Sequence, residues 1–398
     1  MVMRLLPNTA LIAVLVVVVV VTPVAFAADV GIAFRVKPPK STPANAKLYL
    51  AGDAQALGAW KPDGVELKKG DDGVYAARVT LPADQGIQYK VTRGTWATVE
   101  KKADGSEMGN RTFTPTKDTT VDVEVAAWAE EVGAPKHTRT GDIRVHEKFA
   151  SKNLGNERSL LVWLPPGYDE NRTVRYDVLY MQDGQNVFDD WTSFAGEWRA
   201  DETAAALIAQ NKIRPVIIVA IENNNRRLDE YTMTLDDRHG GRGGDGAKYA
   251  RFVAEEVKPF IDRTYRTDAT REHTGVAGSS LGATISLEIA RAYPDKFGLV
   301  GALSPAAWWN DGEMLKRFEA DSSWMKGKRL WVDIGTNEGN VAQKQAYVDS
   351  GRRIEAMLKK AGLAESQDYQ FKVIEGAEHN EKAWSSRLGD VLMFLFPA

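Results

Sequence analysis

Between Gly31 and about Val125 apolar and polar residues alternate in short runs: IAFRV, KLYLAG, GVYAARVTL, IQYKVTRG, RTFTP and TVDVEV. A period of two marks strands with one buried face. Turn signals recur between the runs, at Lys61-Pro62-Asp63-Gly64, Asp71-Asp72-Gly73 and Ala103-Asp104-Gly105. The pattern predicts a small all-β sandwich over residues 28–126. The stretch that follows, rich in Ala, Glu, Gly and charge, reads as a linker over 127–142.

From about Ile143 the pattern changes. Unbroken apolar runs, LLVWLPP, YDVLYMQDG, PVIIVAIEN, HTGVAGSS, LVGALSP, RLWVDIG and YQFKVIEG, alternate with helix-like segments such as ADETAAALIAQN, AKYARFVAEEVKPFIDRTY, ATISLEIARAY and AWSSRLGDVLMFLF. Strands apolar on both sides, separated by amphipathic helices, predict a parallel sheet covered on both faces. Residues 143–398 therefore read as a doubly wound α/β domain. Its reactive loops belong at the carboxyl ends of the strands.

Composition narrows the setting. The first 27 residues, a basic start at Arg4, an apolar run and an AxA-like Ala25/Ala27 site, read as a cleavable signal peptide, so a secreted or periplasmic bacterial location is expected. No later segment is long and apolar enough to span a bilayer, and no membrane association is expected after cleavage. The chain has no cysteine, which excludes disulfides and thiol chemistry. A net charge of −3 with no basic stripe argues against nucleic acid as a partner.

The stretch VAGSSLGAT, 276–284, joins an apolar run to a helix-like one. A nucleophile elbow needs glycine two residues before and two after its serine, because the tight turn leaves no room for Cβ atoms. Ser280 has Gly278 and Gly282 there, whereas Ser279 has Ala277 and Leu281. A serine needs a base, and five histidines are available. His137 and His146 lie in or near the linker. His239 sits in a Gly-rich loop, and His273 would stand ~20 Å from Ser280 along one strand. His379, in EGAEHNEKAW after the last apolar run, has the right position. For the acid, Glu338 in GTNEG lies beyond the end of its strand and is favoured. Asp333, inside that strand, is the runner-up, followed by Glu375 and Glu378. An oxyanion hole is expected from the amides of Leu281 and Gln185, the latter in VLYMQDGQNVFD. Trp198, Trp308, Trp309 and Trp384 fall near predicted strand ends and could line a cleft, the first three being the predicted substrate-binding residues.

These signatures, YMQDGQNVFD, KYARFVAEEVKPFIDRTYRT, GVAGSSLGA, YPDKFGLVGALSP, DIGTNEG and EGAEHNEKAW, resemble the esterase family of α/β-hydrolases over roughly residues 145–397. That family includes feruloyl, acetylxylan and enterochelin esterases, formylglutathione hydrolases and mycolyltransferases. The resemblance implies Ser280 as nucleophile, His379 as base and Glu338 as acid, the last at the place of an aspartate in a similar GTND loop of feruloyl esterases. The N-terminal region resembles starch-binding-type carbohydrate modules of families 20 and 48, through LYLAGDAQALGAW and IQYKVTRGTW. This implies sugar contact by Trp60, Lys90 and Trp96, although the second stacking tryptophan expected before Asn110-Arg111 is displaced upstream to Trp96. The expected activity is serine-dependent deacylation of an acylated polysaccharide or oligosaccharide, acetyl or feruloyl-type, with no metal or cofactor. A siderophore lactone or other small ester is the alternative substrate, and a non-catalytic glycan-binding protein the alternative class.

Overall fold

The computed structural model describes residues 29–398 except 85, 104, 106–107, 131–136, 194–195 and 340–342. The signal peptide and the middle of the linker lie outside the described residues.

The main sheet of the N-terminal module holds seven strands: β1 (Asp29–Lys37), β2 (Leu48–Gly52), β3 (Val65–Lys69), β4 (Tyr75–Pro82), β5 (Ile87–Thr92), β6 (Arg111–Phe113) and β7 (Thr119–Glu124). They run in the order β6-β5-β2-β3-β4-β1-β7. β3 is the corner: Val65 to Leu67 pair with β2, while Lys68 and Lys69 pair with β4. The two halves fold over each other, so the alternating Ile32, Phe34 and Val36 meet Leu48, Leu50, Tyr89 and Val91 in one core. Trp128, placed in the linker by its composition, belongs to this core. It is fully buried, its indole N–H donates to Thr42, and its main chain pairs with Glu100. The other end of the linker is tied to the second domain, where Thr138 and Thr140 amides donate to Asp189 and Asp201.

The second domain is an eight-stranded sheet. Its strands are β8 (Asp142–Ala150), β9 (Glu157–Leu164), β10 (Asp177–Gln182), β11 (Val216–Ile221), β12 (Thr274–Ser279), β13 (Leu299–Leu303), β14 (Arg329–Asn337) and β15 (Tyr369–Glu378), in the order β8-β9-β11-β10-β12-β13-β14-β15. The sheet is mixed rather than wholly parallel, because β9 runs antiparallel to both β8 and β11. β8 has no apolar face to betray it; an edge strand with half-exposed charged positions leaves no period in the sequence. In the central strands alternate residues feed two cores. Val178 and Tyr180 of β10 enter one, Leu179 and Met181 the other, which is why these runs are apolar throughout. No helix among the described residues is long and apolar enough to cross a membrane.

Candidate active site

Register sets the site. Ser279 of β12 pairs with Leu303 of β13, Leu303 with Asp333 of β14, and beyond a bulge Asn337 of β14 with Glu378 of β15. The residues that follow three of these strands, Ser280, Ser304 and Glu338, together with His379 after β15, therefore line up along one edge of the sheet.

Ser280 caps helix α1 (Leu281–Ala292) with φ 55° and ψ −125°, a conformation a non-glycine residue adopts only under constraint. The constraints are visible: its N–H donates to Leu303 O at 3.0 Å, and its carbonyl accepts from the amides of Ala283, Thr284 and Ala306. The glycine frame is steric, since a Cβ on Gly278 would stand 2.7 Å from the Gly282 carbonyl carbon. Ser279 stays in the strand, buried.

His379 Nε2 lies 2.8 Å from Ser280 Oγ, and its Nδ1 lies 2.9 Å from Glu338 Oε2. A carboxylate only accepts, so the proton sits on Nδ1 and Nε2 is left to accept from the serine hydroxyl. The ring is held edge-on by Trp384 at 4.9 Å and Tyr347 at 5.9 Å. Glu338 is fully buried, and its other oxygen accepts from the Gly335 N–H at 2.6 Å and from Ser304 Oγ at 2.5 Å. Ser304 Oγ in turn accepts from Trp384 Nε1 and Arg387, both at 2.9 Å. The GTNEG loop needs its first glycine because a Cβ on Gly335 would stand 2.2 Å from Ala377 O.

Asp333 is turned the other way. It accepts from Trp331 Nε1 at 2.7 Å and Arg387 Nε at 3.1 Å, and burial pushes its carboxyl up to about 6. Its role is to hold Arg387, and through Arg387 the serine that braces Glu338.

Gln185 sits on the turn after β10. Asp183, in the left-handed region with φ 58°, opens that turn, clamped by two 2.7 Å hydrogen bonds from Arg227. Gly184 is required for a reason other than approach to substrate: a Cβ there would meet Ile221 and Glu222 main chain at 2.6 Å. The Gln185 side chain accepts from Asn223 N, and its carbonyl accepts from Thr192 Oγ1. Neither the Gln185 nor the Leu281 amide hydrogen has an acceptor among the described residues. The turn is also tied to the histidine loop, because Asn186 donates to Glu381, whose carboxyl burial pushes up to about 8.

The aromatic residues divide differently from expectation. Trp198 is 2% exposed and stacks on Trp384 at 6.2 Å, so it backs the ring that meets His379 and is not a contact surface. Trp309 is also buried, donating to Thr234 O. Trp308 alone of the three, at 39% exposure, faces solvent. His239, read as a loop residue, stacks on Trp309 at 4.7 Å and is anchored by Asp236. The other histidines are structural: His137 meets Asp189, His146 meets Tyr265, and His273 meets Asp177 at the amino end of the sheet. In the N-terminal module Trp60 and Trp96 come together at 6.4 Å, both half-buried. Lys90 is only 5% exposed, which removes it from an open sugar-binding face.

The family model described as "Putative esterase" matches residues 151–395. The chain belongs to this esterase family. The N-terminal residues 29–124 match the model of the starch binding domain. An endo-1,4-beta-xylanase/feruloyl esterase of Xylanibacter ruminicola is 26% identical over 279 residues, covering 68% of this chain and 34% of that protein. Ferri-bacillibactin esterase BesA of Bacillus subtilis (strain 168) is 27% identical over 209 residues, 47% of this chain and 69% of that one. The crystal structure of the enterobactin esterase FES from Shigella flexneri in the presence of enterobactin shares the fold, with a TM-score of 0.53 at 14% identity over 91% of this chain and 92% of that one.

In this esterase the residues that sequence reading missed are the bracing ones: Ser304, Arg387, Asp183, Arg227 and Tyr347. Ser304 had a signal, being the first residue past an apolar strand. Tyr347 and Arg387 lie within helices α2 (Lys344–Lys360) and α3 (Glu381–Leu395), where nothing distinguishes them from surface positions. Among the described residues the one group spaced for a metal ion is Glu197, Asp201 and Glu202, with oxygens within 4.8 Å of one another. Its buried member, Asp201, accepts from Thr140, and the hydrogen bonds of Ser280 and His379 do not reach it.

Proposed function

We propose that this esterase is an exported serine hydrolase that removes an acyl group, acetyl or a hydroxycinnamoyl such as feruloyl, from a carbohydrate. The observation that carries the reading is the continuous path from Glu338 through His379 to Ser280, at 2.9 and 2.8 Å. Ser280 Oγ attacks the ester carbonyl while His379 Nε2 takes its proton. The charged imidazolium is stabilised by Glu338, and the carbonyl oxygen, now negative, is met by the amides of Gln185 and Leu281. His379 returns the proton to the leaving alcohol, and water attacks the acyl-enzyme by the same route. Trp308, exposed beside the His239 ring, offers an apolar face for the acyl group or a sugar ring.

The starch binding domain match and the xylanase/feruloyl esterase relative support the carbohydrate ester. The BesA relative supports a second reading, in which the substrate is a siderophore lactone. A parallel hydrolysis screen separates them: p-nitrophenyl acetate, longer acyl esters, methyl ferulate, acetylated and feruloylated oligosaccharides, and an enterobactin-type lactone. Cleavage of the acylated oligosaccharides is the expected result. Turnover of the lactone with all acyl-carbohydrates untouched overturns the reading.

A further inference from the structure

The N-terminal module touches the catalytic domain at Gln55, and two charged groups of the same module, Asp53 and Lys90, act on residues next to His379. Gln55, exposed on the turn after β2, lies against Gly240, where a Cβ would stand 2.5 Å from its side-chain oxygen. Gly240 follows His239, the ring that stacks on Trp309 and lies 5.5 Å from exposed Trp308. Asp53, from the same turn, is close enough for its charge to act on the Tyr347 phenol, and the Tyr347 ring touches His379. Lys90 of β5 acts likewise on Glu381, two residues past His379 and bonded to the oxyanion turn through Asn186. A module tethered only to concentrate an enzyme on a polymer has no need to press its Gln55 turn against the loop that carries His239 beside exposed Trp308.

We propose that this module is a fixed wall of the ester-binding cleft, with Gln55 and Asp53 contacting the alcohol portion of a carbohydrate ester. The wall follows from the Gln55–Gly240 contact; the carbohydrate portion rests on the function proposed above. Chemistry supports these two residues as sugar contacts, since an amide and a carboxylate supply the donor and acceptors that paired hydroxyls need. Trp60 is tied to the same turn, its N–H donating to Gly52 O at 2.7 Å. The Trp60–Trp96 pair, its rings 6.4 Å apart, therefore adjoins the turn that carries Asp53 and Gln55. A glycan ester of several sugar units is the substrate class this surface fits, with its acylated unit at Ser280 and its chain running onto the module.

The chain has no cysteine, so Gln55→Cys creates a unique thiol in the full-length protein. It is labelled with a bulky maleimide, and Asp71→Cys, exposed in the β3–β4 turn, carries the same label as a control. The label at position 55 is expected to lower kcat/KM on an acylated oligosaccharide at least tenfold relative to the Asp71 control. The ratio of that value to the one for p-nitrophenyl acetate should fall as well, with Tm unchanged. Equal rates for the two labelled proteins on every ester, with binding to insoluble starch reduced only by the label at 55, overturn the proposal in favour of an independent glycan-binding module. If the wild type cleaves no acylated oligosaccharide, the carbohydrate reading fails separately; slower cleavage of the largest accepted ester by the protein labelled at 55 then still identifies the wall.

Discussion

Replacing Glu338 by glutamine changes one atom and should nearly abolish turnover. The reason lies in the opposite end of the carboxylate. Oε1 accepts from the Gly335 N–H and from Ser304 Oγ, whose own acceptor capacity is taken by Trp384 and Arg387. Both neighbours are donors, so the amide oxygen must stay there and the amide nitrogen must face His379. An N–H at that place donates to Nδ1, moves the ring proton to Nε2, and leaves nothing to accept the proton of Ser280. The flipped amide restores the tautomer only by confronting two buried donors with an NH2 group, at roughly 1–3 kcal/mol for each unmet bond. A total of roughly 2–6 kcal/mol for the two bonds corresponds to a loss of about 30-fold to 3 × 10⁴-fold in kcat/KM, at 1.36 kcal/mol per factor of ten. The assay is p-nitrophenyl acetate hydrolysis across pH 6–9, with thermal melting to verify folding. Asp333→Asn is the comparison: it weakens the grip on buried Arg387, lowers Tm, and keeps kcat/KM within about tenfold by the same energy scale. A Glu338→Gln enzyme within tenfold of wild type, with Asp333→Asn inactive yet folded, would refute the assignment of the acid.

Three further outcomes are expected. Gly278→Ala drives a methyl to 2.7 Å from the Gly282 backbone and should either prevent folding or remove activity, whereas Gly282→Ala meets side-chain atoms at 3.1 and 3.2 Å and should be milder; activity and melting curves on both variants decide it. Trp198→Ala should cost about 3–5 kcal/mol in denaturant unfolding, while Trp308→Ala leaves stability unchanged within about 0.5 kcal/mol and raises KM for aromatic acyl esters. Glu381 is held neutral by burial, with its carboxyl raised from 4.5 to about 8. A raised folded value means the stability is full below 4.5 and is lost as pH rises towards 8, at up to about 1.4 kcal/mol per pH unit. Glu381→Gln should therefore gain on the wild type in unfolding free energy between pH 5 and 8, and a constant difference across that range would contradict this.

Much of the site was legible because its chemistry demands local patterns. The glycine frame of Ser280 is steric and therefore written in the sequence, and the GTNEG loop carries its glycine for the same reason. His379 and Glu338 follow apolar strands, and register brings strand ends together whatever the intervening loops do. What stayed hidden depends on tertiary approach. Trp198, Trp308 and Trp309 share similar sequence contexts, and only packing buries two of them. Lys90 looks like a solvent-facing strand residue, yet the fold buries it to 5% exposure. β8 escaped because an edge strand shows no unbroken apolar run; β9 is legible as a strand in LLVWLPP, but its antiparallel direction is not, since strand direction leaves no mark on composition.

The central claim is that Ser280 becomes acylated, and it is tested by intact-protein and peptide mass spectrometry after rapid acid quench during turnover of a slow aromatic ester. The account predicts a single acyl adduct on the peptide containing Ser280, its absence in Ser280→Ala, and loss of hydrolysis in that variant. An adduct on another residue, or undiminished hydrolysis by Ser280→Ala, would contradict it.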